Sequence, residues 1–308
     1  MRAVQDCIIT KIIPATALQF GDSMLNPISL FSIKLTCYHN DREIMVGTGF
    51  LYNHKNYQDP ILITNYHVLT CREPKNPASL LNNIRSSPNK IKCHIWAPNG
   101  SSCHTFHINI DEHSEWLEHP LRSEGVDIVG IPIIFTRDVK YTSQKDVNNS
   151  DTIPLHVASD VSIVGYPHGL SVNEHLPIWK NGVVASEPDV KISSLDCFYI
   201  DATTKEGMSG SPVFSHEYTT QTIVSPEVHN LYKQRERGEI SPLQFITSVS
   251  PDIFKNTIQV KKFKLIGIYS GRVTVGAHMP DVGIVWKLSL IEEMLSSQNR
   301  VKSEYPPY

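Results

Sequence analysis

The 308-residue sequence lacks several features that would point to other classes of protein. It contains no apolar run that approaches the roughly 20 residues of a membrane span. Its 28 Lys and Arg are balanced by 31 Asp and Glu, for a formal net charge of −3, so the basic surplus typical of nucleic-acid-binding proteins is missing. We therefore expect neither a membrane nor a nucleic acid as a partner of this chain.

Cysteine is scarce, and the N-terminal segment does not look like that of a secreted protein. Residues 1–7 lack the basic stretch and the long apolar region of a signal peptide. Sparse cysteines without such a signal are typical of free thiols in a reducing compartment. We expect a cytoplasmic protein in which the six cysteines are thiols: Cys7, Cys37, Cys71, Cys93, Cys103 and Cys197.

Three residues with complementary chemistry occur in the order His67, Asp127, Ser209, each within a short distinctive segment. A serine hydroxyl needs a base to remove its proton, and histidine suits this role because its ordinary pKa is about 6.5. A buried carboxylate orients the imidazole and stabilises its charged form. The residues predict a catalytic triad with Ser209 as nucleophile, His67 as general base and Asp127 as the orienting group.

The sequence around the predicted base and carboxylate is apolar. His67 follows the run 61–64, which predicts a buried strand. Asp127 lies within the run 126–131, which predicts a second strand. Burying a carboxylate in such a strand is costly unless the group is paired, so a partner for Asp127 is expected.

The sequence around the predicted nucleophile is rich in glycine. Ser209 lies between Gly207 and Gly210, and glycine permits a tight turn that aims backbone N–H groups into one pocket. We expect the N–H groups of Gly207 and Ser209 to form the oxyanion hole, which stabilises the negative charge of the transition state.

The order His, Asp, Ser is the one carried by the double β-barrel of chymotrypsin-like enzymes. On these three segments the sequence resembles the trypsin-like (chymotrypsin-fold) serine peptidases. It is most similar to the HtrA/Deg-type catalytic domain, over about residues 30–290. Further segments that resemble the family are 47–50, 63–68, 97–100, 161–169, 181–184, 199–202 and 267–271.

The resemblance implies an all-β fold of two six-stranded antiparallel β-barrels, with the active site between them and a short C-terminal helix. It implies a serine endopeptidase that needs no cofactor and no metal, without the family's PDZ modules. A catalytically silent pseudoprotease that binds peptides is the alternative function. A hydrolase of esters or small amides is a third, although strand 268–271 favours an extended peptide that pairs with it.

The sequence departs from the secreted members of the family in ways that concern activation. It has no Ile-Val-Gly-Gly-like start that cleavage could release, and Met208 replaces the aspartate that would pair with a new N-terminus. Activation by zymogen cleavage is therefore not expected. The resemblance implies control by ordering of the loop Thr203–Ser209, or by a partner.

The sequence predicts five segments: an N-terminal arm (1–29), a first barrel (30–135), a linker (136–152), a second barrel (153–288) and a C-terminal helix and tail (289–308). The pattern Ser289-x-x-Glu292 predicts a capping box at the start of the terminal helix.

The second barrel carries an insertion, 215–264, that is far longer than an ordinary hairpin loop. Its segment 231–237 is expected to be helical. The insertion is either a surface addition or a docking element for a regulatory protein near the cleft, and the sequence leaves both open.

The resemblance also locates the substrate-binding pocket. Thr203 occupies the pocket floor, where cleavage after Lys or Arg would require an acid, so uncharged small or aliphatic side chains are expected instead. Arg272 is expected to point to solvent; a preference for acidic side chains is the alternative that this arginine raises. The substrate-binding residues implied in this way are Thr203, Thr204, Ser270, Gly271, Arg272, Gly283 and Val285.

Cysteine and histidine cluster between residues 93 and 119, which raises the question of a zinc site. Cys93-His94 and Cys103-His104 flank a Pro-Asn-Gly turn, so they fall on opposite arms of a hairpin, where alternation separates Cys93 from His94. Zinc sites usually have closer paired spacings. We therefore expect cysteines in a barrel core, histidines on its surface, and no metal.

Overall fold

The computed structural model describes residues 12–14, 25–135, 139–148, 153–173, 175–250, 257–273 and 281–302. The chain divides into two compact units. The main unit takes in Leu25–His216 and Phe263–Tyr308, and the insertion unit takes in Met1–Met24 and Glu217–Lys262.

Strands predominate in the described part of the chain. In chain order they are β1 (Ile12–Pro14), β2 (Ser32–His39), β3 (Arg42–Tyr52), β4 (Ile61–Thr64), β5 (Lys90–Trp96), β6 (Cys103–Asn109), β7 (Glu115–Glu118), β8 (Val129–Pro132), β9 (Asp160–Gly165), β10 (Ile178–Val184), β11 (Cys197–Asp201), β12 (Pro212–Val224), β13 (Thr257–Arg272), β14 (Val282–Lys287) and β15 (Arg300–Lys302). The helices are α1 (Pro27–Phe31), α2 (Tyr66–Thr70), α3 (Gln144–Val147), α4 (Pro226–Glu236), α5 (Pro242–Ser248) and α6 (Leu288–Ser297).

The first sheet has eight strands in the order β15-β7-β8-β4-β3-β2-β5-β6, with antiparallel neighbours. Strand β4 is buried along its whole length, as its uninterrupted apolar sequence predicts. It pairs with β3 on one side and β8 on the other. These central strands bring the segments that carry Thr48, His67 and Asp127 side by side.

The second sheet has seven strands in the order β1-β12-β13-β14-β11-β10-β9, and β12 pairs with β9 as well. Its pairs are antiparallel except β1 with β12, which is parallel. Strand β13 leads towards the candidate site through Tyr269 and Ser270. The predicted strands near 161–165, 181–184, 199–202 and 267–271 are all present.

The predicted fold is confirmed as mainly β with two sheets, and its strand count is corrected. The described strands form sheets of eight and seven rather than six each. Three short strands account for the difference. Strand β1 lies at the edge of the seven-stranded sheet, and β7 and β15 extend the eight-stranded sheet.

The C-terminal helix α6 is present, but it does not start with the predicted capping box. It follows β14 directly, its N-cap position is Lys287, and no side chain caps it. Ser289 therefore lies already inside the first turn. Helix α6 is fixed by its apolar face instead, which buries Leu290, Ile291, Met294 and Leu295.

The insertion unit is built from the outer ends of two long strands and a pair of helices. Helix α4 contains the segment predicted to be helical, and α5 begins with a capping box between Ser241 and Gln244. Phe245 is the centre of a small apolar cluster with Val224 and Val249. The guanidinium of Arg235 lies 5.6 Å from the centre of the Phe245 ring.

Within the described ranges, none of the helices combines the length and the apolar character that crossing a bilayer requires.

Candidate active site

His67 is placed by a short helix that follows a buried strand. Helix α2 begins two residues after β4 ends. It stops at Cys71, whose left-handed backbone (φ 57°) lets its N–H donate to the carbonyl of His67 at 2.9 Å. The buried strand predicted before His67 is confirmed, and His67 itself lies in the first turn of the helix.

Asp127 lies just before strand β8, and not inside a strand as the sequence predicts. Its backbone carbonyl accepts a hydrogen bond from the side-chain amide of Asn65 at 2.6 Å. Asn65 is fully buried and directly precedes helix α2. Asp127 is not part of a strand because its carbonyl and carboxylate bond to Asn65 and His67 and not to a neighbouring strand.

The carboxylate of Asp127 is the centre of the hydrogen bonds in this site. It accepts from the backbone N–H of His67 (3.0 Å), from His67 Nδ1 (2.5 Å) and from the Ser270 hydroxyl (2.6 Å). Three donors offset the cost of burying a charged group in a residue that is only 4% exposed. Because Nδ1 donates to the carboxylate, the neutral imidazole keeps the lone pair of Nε2 for proton transfer.

Electrostatics make His67 a stronger base than an ordinary histidine. Burial lowers the pKa of His67, but the charge of Asp127 and the hydrogen bond to it act in the opposite direction, with a smaller contribution from Glu73. The balance leaves the pKa above its ordinary value of 6.5. A stabilised imidazolium is what a general base requires once it has accepted a proton.

Ser270 reaches the carboxylate because strand β13 has a bulge at this point. Tyr269 pairs with Val285 and Gly271 with Ile284, so Ser270 is an extra residue without a partner in β14. A bulge bends the strand and redirects its side chains. The residue that the resemblance places in the substrate pocket therefore also contacts the carboxylate of Asp127.

Strand β3 fixes the backbone next to Ser209. The N–H of Thr48 donates to the carbonyl of Ser209 at 2.8 Å, and Thr48 Oγ1 donates to the carbonyl of Gly207 at 2.9 Å. Thr48 is completely buried. One residue of the first sheet thus holds both the peptide that follows Gly207 and the peptide that follows Ser209.

Glycine is required on either side of Ser209 by both conformation and space. Gly207 and Gly210 have φ values of +89° and +85°. A Cβ on Gly210 would lie 1.9 Å from the carbonyl oxygen of Thr48, and one on Gly207 would lie 2.2 Å from that of Tyr166. Only glycine combines a positive φ with the absence of a side chain.

A second contact sets the direction of the peptide before Gly207. The N–H of His168 donates to the carbonyl of Glu206 at 2.6 Å. In a trans peptide the N–H points away from the carbonyl of the same plane, so the N–H of Gly207 faces away from His168. Among the described residues, no hydrogen bond engages the N–H of Gly207 or of Ser209.

Ser209 and His67 are not hydrogen-bonded to each other within the described residues. The serine side chain is partly exposed, and a Cβ built on Gly271 would lie 4.0 Å from its Oγ. Ser209 therefore lies beside the strand that is expected to bind substrate. A loose contact between nucleophile and base is common before substrate binds.

A family model, described as "Trypsin-like peptidase domain", matches residues 47–219, which is more than half of the chain. The chain belongs to the trypsin-like peptidase domain family. The matched range includes all three predicted triad residues, and the resemblance stated from the sequence is confirmed. A search of curated proteins finds no match.

Solved structures similar to this trypsin-like peptidase domain are distant. They include an inactive form of Rv3671c from M. tuberculosis (12% identity, 94% of this chain and 96% of that chain covered, TM-score 0.42). A serine endoprotease from Yersinia pestis (11%, 89% and 66%, 0.45) and the HtrA-type protease AlgW with a tripeptide (10%, 89% and 63%, 0.47) are also similar. At these identities and TM-scores, they add nothing to the assignment of site or substrate.

Two residues of the expected pocket are buried in this trypsin-like peptidase domain. Thr204 is 1% exposed, and its hydroxyl is hydrogen-bonded to the phenol of Tyr269. Val285 is completely buried in the core of the second sheet. Both side chains are therefore removed from solvent in this structure.

The other expected pocket residues have more varied positions. Thr203 is exposed. A Cβ on Gly283 would lie 2.5 Å from the ring of Tyr269, so this glycine lets the tyrosine ring pack against the strand. Arg272 does not point freely into solvent as expected, because its side chain is only 25% exposed and lies 3.7 Å from Asp281.

A cavity of about 390 Å³ opens beside the His67–Asp127 pair. Its wall combines charged groups with apolar surface. The lining residues are His67, Glu73, Pro74, Lys75, Leu81, Gly125, Asp127, Ser270, Arg272, Ile284 and Trp286.

The Cys/His segment departs from the expectation of buried cysteines and surface histidines. The hairpin is confirmed, with His94 opposite Thr105 across β5 and β6. Cys93 lies in the core as expected, but His94 is only 4% exposed and Cys103 is partly exposed. None of the five cysteines that the structure describes forms a disulfide.

Sequence reasoning missed the residues that position the site. Thr48 stands within a segment that resembles the family, yet its hydroxyl contact with the loop depends on tertiary packing. Asn65 directly follows the predicted strand, where a polar residue is unremarkable. The only signal for either was a small polar residue inside or next to a buried strand.

Proposed function

We propose that this member of the trypsin-like peptidase family is a serine endopeptidase that uses His67, Asp127 and Ser209 as its triad. The observation that carries the proposal is the carboxylate of Asp127, which accepts three hydrogen bonds, one of them 2.5 Å from His67 Nδ1. A buried carboxylate held in this way has a clear chemical use as the orienting group of a base.

The geometry supports a sequence of proton transfers between these groups. Nε2 of His67 accepts the hydroxyl proton as Ser209 Oγ attacks the peptide carbonyl carbon. The N–H groups of Gly207 and Ser209 receive the developing oxyanion. His67 then donates its proton to the leaving amine, and water hydrolyses the acyl-enzyme by the same steps.

We propose control by the loop Thr203–Ser209 or by a partner, without zymogen cleavage. Met208 is completely buried in an apolar cluster, where a new charged N-terminus would find no carboxylate to pair with. The insertion 215–264 is the segment proposed to contact a regulatory protein. The free thiols are compatible with the proposed cytoplasmic location.

We also propose that the two sheets correspond to the two β-barrels of the family, and that the cleavage site follows an uncharged side chain. No acidic residue stands at Thr203 or Thr204. A peptide library that varies the residue before the cleaved bond tests this preference. Strict cleavage after Lys or Arg would exclude it.

The first experiment is labelling of the purified protein with a fluorophosphonate probe, which reacts with activated serine hydroxyls. We expect labelling of the wild type and its loss in Ser209→Ala and in His67→Ala. Ser211→Ala is the matched control, because this neighbouring hydroxyl is completely buried and has no hydrogen-bond partner among the described residues.

Labelling that persists in Ser209→Ala would contradict the proposed nucleophile. A folded wild type that neither reacts with the probe nor cleaves any peptide of the library would mean either a pseudoprotease or a loop Thr203–Ser209 that is held inactive until a partner binds. Turnover of simple esters without turnover of peptides would favour the third function.

A further inference from the structure

Outside the candidate active site, one cluster in the main unit combines a thiol with two imidazoles. His94 of β5, Cys103 of β6 and His175 in the connection between β9 and β10 each place one ligand atom within 4.8 Å of the others. The third residue is distant along the chain from the first two, so no sequence spacing reveals the cluster. The triad does not use it.

We propose that His94, Cys103 and His175 form a zinc site with three protein ligands. Thiolate sulfur and imidazole nitrogen are the donors that Zn²⁺ prefers, in tetrahedral geometry. Three protein ligands leave the fourth position to water or another small donor. The site would tie the β5–β6 hairpin of the first sheet to the connection between β9 and β10 of the second.

The distances require a modest closure around the ion. Zinc lies about 2.3 Å from sulfur and about 2.0–2.1 Å from nitrogen, which puts tetrahedral ligand atoms roughly 3.3–3.6 Å apart. The rings of His94 and His175 now stack with centroids 3.8 Å apart and planes 13° from parallel. Binding therefore turns the rings out of the stack, so that their lone pairs converge, and moves Cys103 inward.

His94 has the surroundings of a metal ligand. Thr105 Oγ1 lies 3.0 Å from its Nδ1, directly across the hairpin, which leaves Nε2 to face an ion. Such outer hydrogen bonds fix the tautomer and orientation of ligating histidines.

His175 is held in place through its backbone. Its carbonyl accepts hydrogen bonds from Tyr166 Oη at 2.8 Å and from Trp96 Nε1 at 3.2 Å. Val172 and Leu176 close the surrounding loop with reciprocal N–H to carbonyl bonds of 2.9 Å. These hydrogen bonds hold the carbonyl of His175 in place, so rotation of its side chain is the movement by which the imidazole would turn towards an ion.

The test is zinc binding by the full chain, purified, stripped with a chelator and titrated against a chromophoric zinc indicator. We expect one equivalent of zinc per chain, and a loss of affinity of at least about tenfold in Cys103→Ser and in His175→Ala. Cobalt in place of zinc is expected to show a thiolate-to-metal charge-transfer band that Cys103→Ser removes. Thr105→Val is expected to weaken binding by about tenfold.

His104→Ala is the matched control, because this exposed histidine follows Cys103 in the strand but lies outside the cluster. A folded wild type that binds no zinc, or ligand variants that bind as tightly as His104→Ala, would overturn the proposal. Circular dichroism identifies any variant that fails to fold. If one ligand variant is unfolded, the zinc affinity of the other ligand variant tests the proposal. None of these readouts depends on peptidase activity.

Discussion

The two halves of the candidate site are held by different kinds of interaction. On one side, side chains specify the geometry, since the carboxylate of Asp127 binds His67 and Ser270 directly. On the other side, the backbone around Ser209 is held through its carbonyls by Thr48 and His168. The half that contains His67 and Asp127, the acid–base half, therefore depends on the identity of its side chains. The half that contains Ser209, the nucleophile half, depends on the path of the backbone.

The largest expected effect comes from changing the acid–base half without changing its shape. Asp127→Asn should lower kcat by about 10⁴, because the amide favours the wrong tautomer of His67 and no longer stabilises its charged form. Steady-state hydrolysis of the best library peptide measures the effect. Asp160→Asn, an exposed aspartate at the start of β9, is the control. A loss below tenfold would mean that this carboxylate only supports the fold.

The next largest effect is expected in the nucleophile half, as a loss of stability. Gly210→Ala places a Cβ 1.9 Å from a backbone oxygen of Thr48 at a φ of +85°. We expect unfolding to become easier by about 3 kcal/mol or more, from backbone strain plus overlap that a backbone atom cannot relieve. Urea denaturation measures this.

Gly169→Ala separates the two causes. This glycine also has a positive φ (+73°), but its built Cβ would meet its nearest neighbour at an ordinary 3.5 Å. We expect a cost of only about 1–2 kcal/mol from strain alone. Equal losses in the two variants would show that close packing against Thr48 is not what requires glycine at position 210.

A third change tests whether the hydroxyl of Thr48 prepares the oxyanion hole. Thr48→Val keeps the shape but leaves the carbonyl of Gly207 without its donor, a loss worth about 1–3 kcal/mol. We expect kcat to fall by about 10–100-fold with little change in KM, and the rate of fluorophosphonate labelling to fall in parallel. Thr48→Ser keeps the hydroxyl and should restore most of kcat and most of the labelling rate.

If Thr48→Val lowered the denaturation midpoint but left kcat and the labelling rate unchanged, the hydroxyl would have a purely structural role. The backbone of the loop Thr203–Ser209 would then be fixed without the hydroxyl of Thr48, and the nucleophile half would not depend on this contact.

The sequence was most informative where function depends on residue identity. The residues His67, Asp127 and Ser209, and the glycines next to the serine, could all be named because each has a distinct chemistry and a distinct local sequence. The strand β4 could be predicted because four consecutive apolar residues fit little else. All of these positions lie within residues 47–219, the range matched by the family model.

The sequence was least informative where contacts join distant segments. Asp127 was expected inside a strand, because nothing local shows that Asn65 will take its carbonyl out of the ladder. Cysteines were expected in a barrel core and histidines on its surface, because nothing local shows that His175, from the connection between β9 and β10, lies beside His94 and Cys103. The pocket was mapped by resemblance, and alternation alone did not show that the side chain of Val285 faces the core.

The smallest predicted effect concerns Ser270, whose side chain extends from the second sheet to the acid–base half. Ser270→Ala removes a 2.6 Å hydrogen bond to the carboxylate of Asp127. We expect kcat/KM to fall by about tenfold or less, because a bond to a charged group contributes about 1.5–3 kcal/mol and water can replace part of it. Ser270→Thr, which keeps the hydroxyl, is the control.

The pH profile distinguishes this role from a structural one. His67 must be neutral to accept a proton, so kcat/KM of the wild type should rise with pH through the raised pKa of His67, with its midpoint above 6.5. Without the Ser270 hydroxyl, the carboxylate of Asp127 loses one of its hydrogen-bond donors. Because its negative charge is then less stabilised, it binds the protonated imidazole of His67 more strongly. The midpoint should therefore move to higher pH in Ser270→Ala and stay in place in Ser270→Thr. A midpoint that is unchanged or lower in Ser270→Ala would mean that the hydroxyl does not act through the His67–Asp127 pair. The acid–base half and the nucleophile half would then be connected only through bound substrate.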